Sequence, residues 1–409
     1  MRYRYRTTRG RVGISMSEIR TAEEEHGQAT FRQPPRAESV GSLLRPEPIK
    51  RLFERAFARH ESHVARLLDD EERAELAELD ALADEAIRAA VARQIDAGLD
   101  VVTDGEMRRA HFVNSLFDAL EGIADNPVKD YFAGDDEVGP PPDPLATERL
   151  RIVDNPMARE IAFLRSCADW PAKVAIPAVS NFYMLQYQTD AYPSREDYVA
   201  HMGELTRQLV LGAIGAGARY IQFDFPLYPA LADPEKRADL ERELGMDAEA
   251  ILSRAIDVDN AALHGLPPEV TTAVHMCRGN YRSRWWARGS LEPVAERMFN
   301  ELLFDRFLVE WEDTDREGDY GPLRYVPIPG PTVVMGIVSS KLREVESEEE
   351  VMRRIDEAAS LLDPDQLAIS PQCGFASVWH GNDITEDIQW GKLELVGRVA
   401  ERVWGRTDR

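Results

Sequence analysis

His275-Met276-Cys277 places an imidazole and a thiol two residues apart, and on an extended strand such side chains point to the same face. Cys373 and a carboxylate at Glu310 or Glu312 would complete a set of two sulfurs, one nitrogen and one oxygen. Zinc (Zn2+) takes that set tetrahedrally, whereas magnesium and calcium prefer oxygen shells. Glu310 and Glu312 share strand parity, so spacing leaves the choice between them open. Two thiolates and a carboxylate around a dipositive ion leave a net charge of about −1, which gives a weak Lewis acid poorly suited to making hydroxide. An incoming thiol would lose its proton there and stay electron-rich, so the expected chemistry is alkylation of a thiolate. The bland alternative makes Cys277 and Cys373 buried small hydrophobes and His275 a bonded core histidine; placement at strand ends favours ligands.

Glu106 and Asp224 are the candidate catalytic and substrate-binding acids, and with Asp104 they would flank the metal with negative charge suited to an ammonium group. The competing reading pairs these acids with Arg108, Arg109 or Arg278. Ser42, in the turn before Arg45-Pro46, is a third candidate substrate-binding residue, for a carboxylate, and equally a capping residue. Trp285 and Trp286 could cover a planar donor or simply pack. Cys167, in FLRSCADW, reads as a core residue of a helix.

Eight β-rich runs place these side chains, at 38–42, 99–106, 173–178, 219–225, 269–277, 306–312, 332–340 and 366–373. They alternate with amphipathic helical segments, the pattern of parallel strands joined by crossover helices, and eight such units close a (β/α)8 TIM barrel whose site lies at the carboxyl ends of the strands. Helices are expected near 247–264, 291–304, 347–362 and 385–404, and Gly98 and Gly215 or Gly217 should stop the helices before their strands. The stretch of about 110–171, containing Gly-Pro-Pro-Pro at 139–142, is a long insertion after the second strand. Residues 1–33 read as a disordered or extended tail in which Met16 is an alternative start, and 34–409 as one catalytic barrel domain. An open doubly wound sheet would announce itself with a glycine-rich turn after the first strand, and Gly41-Ser42-Leu43-Leu44-Arg45-Pro46 is not one.

Seventy-three acidic against 49 basic residues give a net charge of −24, which would repel nucleic acid and anionic lipid. No apolar run approaches the roughly 20 residues that span a bilayer, and the basic start lacks the apolar core of a secretory signal, so a cytoplasmic address is expected. Three cysteines cannot build a disulfide framework. The implied partners are a small-molecule thiol and an alkyl donor, with a homo-oligomer left open.

VGSLLRP (40–46), VVTDGEMRR (101–109), QFDFP (222–226), HMCRGN (275–280), LVEWE (308–312), GIVSSK (336–341) and SPQCGFAS (370–377) together resemble the cobalamin-independent methionine synthases, in particular single-barrel proteins that correspond to their catalytic carboxyl-terminal half. The resemblance runs from about Arg36 to Gly405. It implies that His275, Cys277, Glu310 and Cys373 hold zinc, choosing Glu310 over Glu312, and that Ser42, Glu106 and Asp224 hold the amino acid part of homocysteine. Methyl transfer to the zinc-bound sulfur would then give methionine.

Three departures fall on the donor side. Members that use methylfolate carry a histidine on strand seven to protonate the departing nitrogen, and here Val338 takes that place. The family's Asp-Glu-Pro is Asp224-Phe225-Pro226, and the amino-terminal half of full-length members has no counterpart in these 409 residues. Loss of a general acid commonly costs ten- to ten-thousand-fold, so a sulfonium, a corrinoid-bound methyl or an epoxide becomes an easier donor than methylfolate. The alternative activity is a zinc-dependent thiol alkyltransferase or lyase resembling the epoxyalkane:coenzyme M enzymes, and a third reading is a non-catalytic zinc-binding barrel.

Overall fold

A computed structural model describes residues 34–59, 63–126, 144–185 and 187–405. The expected tail at 1–33, with Met16, and the Gly-Pro-Pro-Pro sequence lie outside the described residues.

Six parallel strands form one sheet in sequence order: β3 (Val174–Pro177), β4 (Tyr220–Asp224), β5 (Thr271–Met276), β6 (Arg306–Glu310), β7 (Thr332–Val338) and β8 (Leu367–Pro371). All are buried apart from the half-buried start of β7, as expected of parallel strands covered by crossover helices. The four helices expected after the fourth strand are Ala248–Leu263, Glu292–Glu301, Glu348–Ala359 and Glu386–Trp404, close to the expected bounds, and Leu79–Asp96 and Arg195–Gly215 precede the earlier strands. Gly98 at φ 84° and Gly217 at φ 106° supply the left-handed stops.

The first two expected strands are a departure. Where runs 38–42 and 99–106 should form strands, the chain makes single parallel bridges, Ala37 with Ile369, Glu38 with Val101, and Val102 with Ala172. Side chains supply some of the bonds on either side. The Asp100 carboxylate accepts the backbone N–H groups of Arg36 at 2.7 Å and Ala37 at 3.0 Å, and the Gln94 side chain accepts that of Thr103 at 3.0 Å. These bonds stand beside backbone ones at the bridges, such as Glu38 N–H to the Ile369 carbonyl and Val102 N–H to that of Pro171, so the backbone groups are satisfied by a mixture of partners.

Within the 110–171 insertion, β1 (Leu120–Ala124) pairs antiparallel with β2 (Leu145–Ile152), followed by the helix Pro156–Cys167. Cys167 ends that helix half-buried against the core.

Side chains of one strand parity pack together on one face of the sheet. Val40, Val101, Tyr220, Ala273, Leu308, Val334 and Ala368 form one apolar layer. Beside it Glu38, wholly buried, bonds Lys173 at 2.7 Å, Arg306 at 2.7 Å and the Tyr220 hydroxyl at 2.8 Å. Burial disfavours the Glu38 charge, but the two cations outweigh it and draw the carboxyl down to about 2. Lys173 also donates to Gln222 Oε1 at 2.7 Å, and Gln222 Nε2 donates to Asp224 Oδ1 at 2.7 Å, so this plug of charge reaches the carboxyl end of β4.

Candidate metal centre

Parity and register bring the reactive side chains together. His275 lies two residues beyond Ala273 on the inward face of β5, and the β4–β5 register sets Asp224 beside it, with Oδ1 at 3.6 Å from Nδ1. Nε2 faces the carbonyl of Gln372 at 3.0 Å. Cys277 leaves the strand in a tight turn, its N–H bonded to the His275 carbonyl, and its sulfur stands 3.4 Å from that of Cys373. The ligand atoms of His275, Cys277 and Cys373 all lie within 4.8 Å of one another, and all three residues are buried.

These groups polarise one another. The hydrogen bond from Cys277 pulls the Cys373 thiol down to about 7 against the cost of burial, with His275 and Lys341 helping; the same contact pushes Cys277 well up. Burial works against a charge on His275, yet the bond to Asp224 and the Cys373 sulfur carry its pKa up to about 9.

The donor set fits zinc. Sulfurs each about 2.3 Å from a shared tetrahedral ion stand about 3.8 Å apart, so the observed 3.4 Å needs a shift of a few tenths of an ångström. Glu310 lies outside that three-residue group. Its Oε1 accepts Gln372 Nε2 at 2.7 Å, Trp285 Nε1 at 3.1 Å and Lys341 Nζ at 3.2 Å, and its Oε2 accepts the Arg278 N–H at 2.8 Å. Burial opposes ionisation of Glu310, but Lys341 and the Arg278 N–H lower its pKa. It belongs instead to a second buried cluster with Glu312 and Glu317.

The expected acids divide. Glu106 and Asp224 line the pocket that opens on the two sulfurs, and so does Ser42, whose Oγ accepts the Ala376 N–H at 3.3 Å. Asp104 does not line it; its Oδ1 accepts the Glu106 N–H at 2.9 Å. Of the arginines, Arg109 binds Glu160 at 2.6 Å and stands 3.8 Å from Glu106, while Arg108 pairs with Asp80 and Asp84. Burial pushes Glu106 up to about 7 and Asp104 to about 6, the arginines only partly offsetting it.

Two non-glycine residues on the pocket wall hold left-handed backbone, Glu106 at φ 55° and Phe225 at φ 58°. Bulky residues rarely adopt it, and such strain concentrates at functional sites. Of the two tryptophans read either as covering a donor or as packing, Trp286 lines the pocket and Trp285 does not, being held by Glu310 with Arg316 and Lys341 over its ring.

Sequence reading missed Asn181, Asn280 and His111, all on the pocket wall. Asn181 Nδ2 donates to the Phe225 carbonyl and Asn280 Nδ2 to that of Gly374, which leaves each Oδ1 buried and without a partner among the described residues, like Glu106 Oε2. Asn181 lies four residues beyond the end of β3, in the short turn Val179–Tyr183, so a search of the loops at every strand's carboxyl end would have found it. His111 gives no such signal.

The family model described as "Cobalamin-independent synthase, Catalytic domain" matches residues 59–386. The uncharacterized protein YxjH of Bacillus subtilis is 33% identical over 383 residues, 92% of this chain and 98% of that one. The methionine synthase of Pyrococcus furiosus is 24% identical over 288 residues, 68% of this chain and 71% of that one. Among solved structures, the putative vitamin-B12 independent methionine synthase of Listeria monocytogenes superposes with a TM-score of 0.67 at 27% identity, covering 93% of this chain and all of that one. A B12-independent methionine synthase from Shewanella sp. W3-18-1, solved with selenomethionine, has the same TM-score at 22% identity, covering 90% and 97%, a likeness of fold. Motifs, sheet and family match agree, and the chain belongs to the cobalamin-independent methionine synthase catalytic-domain family.

Proposed function

We propose that this chain is a zinc-dependent thiol methyltransferase that methylates homocysteine or a close analogue, in one domain whose bridged segments at 37–38 and 101–102 close the six-strand sheet into an eight-stranded barrel. The observation that carries the reading is the meeting of His275, Cys277 and Cys373, from β5 and the end of β8, at the floor of a pocket with an acidic wall.

Bound zinc would be held by His275, Cys277 and Cys373, with Glu310 as the fourth ligand once freed from some of its donors, and would supply ionisation of the substrate thiol at neutral pH. The chain's own groups do the rest. Glu106 Oε2, Asn181 Oδ1 and Asn280 Oδ1 offer buried acceptors without donors among the described residues, and Asp224 adds a carboxylate, so the wall suits an ammonium and opposes a sulfonate. Ser42, on the same wall, would take the substrate carboxylate. The apolar rings of Phe112, Phe225 and Trp286 limit water beside the sulfurs, which keeps a thiolate reactive.

Metal analysis of protein purified without added zinc should give about one zinc per chain, lost in Cys277→Ala and Cys373→Ala while the circular dichroism of the fold persists. Titration of the zinc form should give heat with homocysteine and none with coenzyme M. A chain free of zinc, or one that binds coenzyme M and not homocysteine, overturns the reading.

A further inference from the structure

The seventh strand offers nothing to the departing group. Its register slips between Gly336 and Val338, and Val338 is wholly buried and absent from the pocket wall. An imidazole reaches the pocket from elsewhere in the chain. His111, 7% exposed, lines the cavity that also holds His275, Cys277 and Cys373. Its segment is sewn to the loop that follows Cys373: His111 bridges Val378, the Phe112 N–H bonds the Ser377 carbonyl at 3.0 Å, and the Trp379 N–H bonds that of Ala110 at 2.8 Å. The ring is therefore fixed relative to the sulfurs through the backbone on both sides.

Its tautomer is fixed as well. The Asn114 backbone N–H donates to His111 Nδ1 at 3.2 Å, so in the neutral ring the proton resides on Nε2. Burial holds the imidazolium pKa down to about 4, against the Asn114 contact and with Arg45 adding to the effect. At neutral pH the ring is an uncharged donor with one N–H to give.

We propose that His111 donates a hydrogen bond from Nε2 to the departing atom of the methyl donor, a nitrogen or oxygen that leaves with the electron pair of its bond to carbon. This rests on the methyl-transfer reading of the same pocket. The thiolate sulfur forms the S–C bond while the C–N or C–O bond breaks, its pair passing to the heteroatom held by Nε2–H. The proton released to solvent on thiol ionisation returns from water to that heteroatom, so the products are the thioether and the protonated leaving group. His111 does not surrender its own proton, since an imidazolate would result. It stabilises developing charge as a preorganised neutral dipole, an interaction whose removal costs ~10²–10³ in rate where it has been measured. The donor side that Val338 leaves bare is thus served from the segment after Glu106, and N-methyl donors such as methyltetrahydrofolate return as the expected class.

The test compares two methyl donors on the full-length zinc form with homocysteine as acceptor: methyltetrahydrofolate, whose nitrogen leaves with a pair to stabilise, and S-methylmethionine, whose thioether leaves neutral. His111→Phe should lower kcat with the first by roughly 100-fold and leave the second, and homocysteine affinity, within twofold. His111→Gln, which keeps an N–H, should recover part of the loss. Nitrogen-15 spectra of the imidazole at pH 7 should show a neutral ring protonated on Nε2. Equal loss with both donors, no loss with either, a ring protonated on Nδ1, or a wild type that uses only the sulfonium would each overturn the proposal. A wild type that binds homocysteine but methylates it from neither donor would sink the methyl-transfer reading itself, and this inference with it.

Discussion

The Asp104 carboxylate accepts the backbone N–H of Glu106 at 2.9 Å and thereby steadies a residue at φ 55° whose side chain faces the pocket. Asp104 is a positioning residue for Glu106. Asp104→Ala removes the acceptor and should weaken homocysteine binding about tenfold, the worth of one buried hydrogen bond, with the fold intact. Asp104→Asn keeps Oδ1 and should stay near wild type. Equal losses in the two variants, read by calorimetric titration, would show that the charge rather than the acceptor matters.

Glu106 makes stability depend on pH. Its carboxyl sits near 7 in the folded chain against an ordinary value of 4.5. Between those values the folded state binds more protons than the unfolded one, so stability falls as pH rises from 4.5 to 7. The Glu106 share of the fall should be roughly 1–3 kcal/mol for a buried group of this kind, and Glu106→Gln should remove that share while Asp104, raised to about 6, keeps its own. Affinity for an ammonium-bearing thiol runs the other way, rising as Glu106 ionises. Urea midpoints across this range, compared between wild type and Glu106→Gln, decide the point; parallel curves would refute it.

Glu310 and Lys341 form an ion pair at 3.2 Å with neither side chain exposed. Glu310→Gln leaves the ammonium uncompensated, and breaking a buried pair from one side costs about 3–5 kcal/mol. Zinc content should fall too if Glu310 is the fourth ligand. Unchanged zinc with reduced stability, measured by metal analysis and urea unfolding, would confine Glu310 to a structural role.

Gly374 leaves no room for a side chain, since a Cβ there would stand 2.1 Å from Ser42 Oγ, with the next atoms of Ser42 at 3.3 Å. Gly374→Ala should destabilise by about 1–3 kcal/mol, the usual cost of overpacking, and weaken thiol binding by displacing Ser42. Removing the hydroxyl relieves the clash, so Ser42→Ala should restore much of the stability in the double variant. A strictly additive double-mutant cycle would count against this contact.

Ordering His275, Cys277, Cys373, Glu106 and Asp224 around one pocket was legible in the amino-acid sequence, because strand alternation fixes which face a side chain takes and parallel topology gathers strand ends at one mouth. Lateral partners were not legible. Asp104 has the residue type of a ligand-gripping acid, and only its turn back onto the Glu106 N–H makes it a support. Glu310 has inward parity, yet four donors from β5, β7 and β8 loops surround it. Bridges at 37–38 and 101–102 stand where strands were expected, and beside them Asp100 and Gln94 side chains accept backbone N–H groups, a long-range detail that composition cannot supply. Val338 and His111 state the division most clearly: a register slip in β7 leaves the one off the pocket wall, and pairing with the loop after β8 puts the other on it. The sequence by itself determined residue types and strand faces, which are local; tertiary structure decided who meets whom across 100 residues and more, because that depends on register and loop return, which no short window contains.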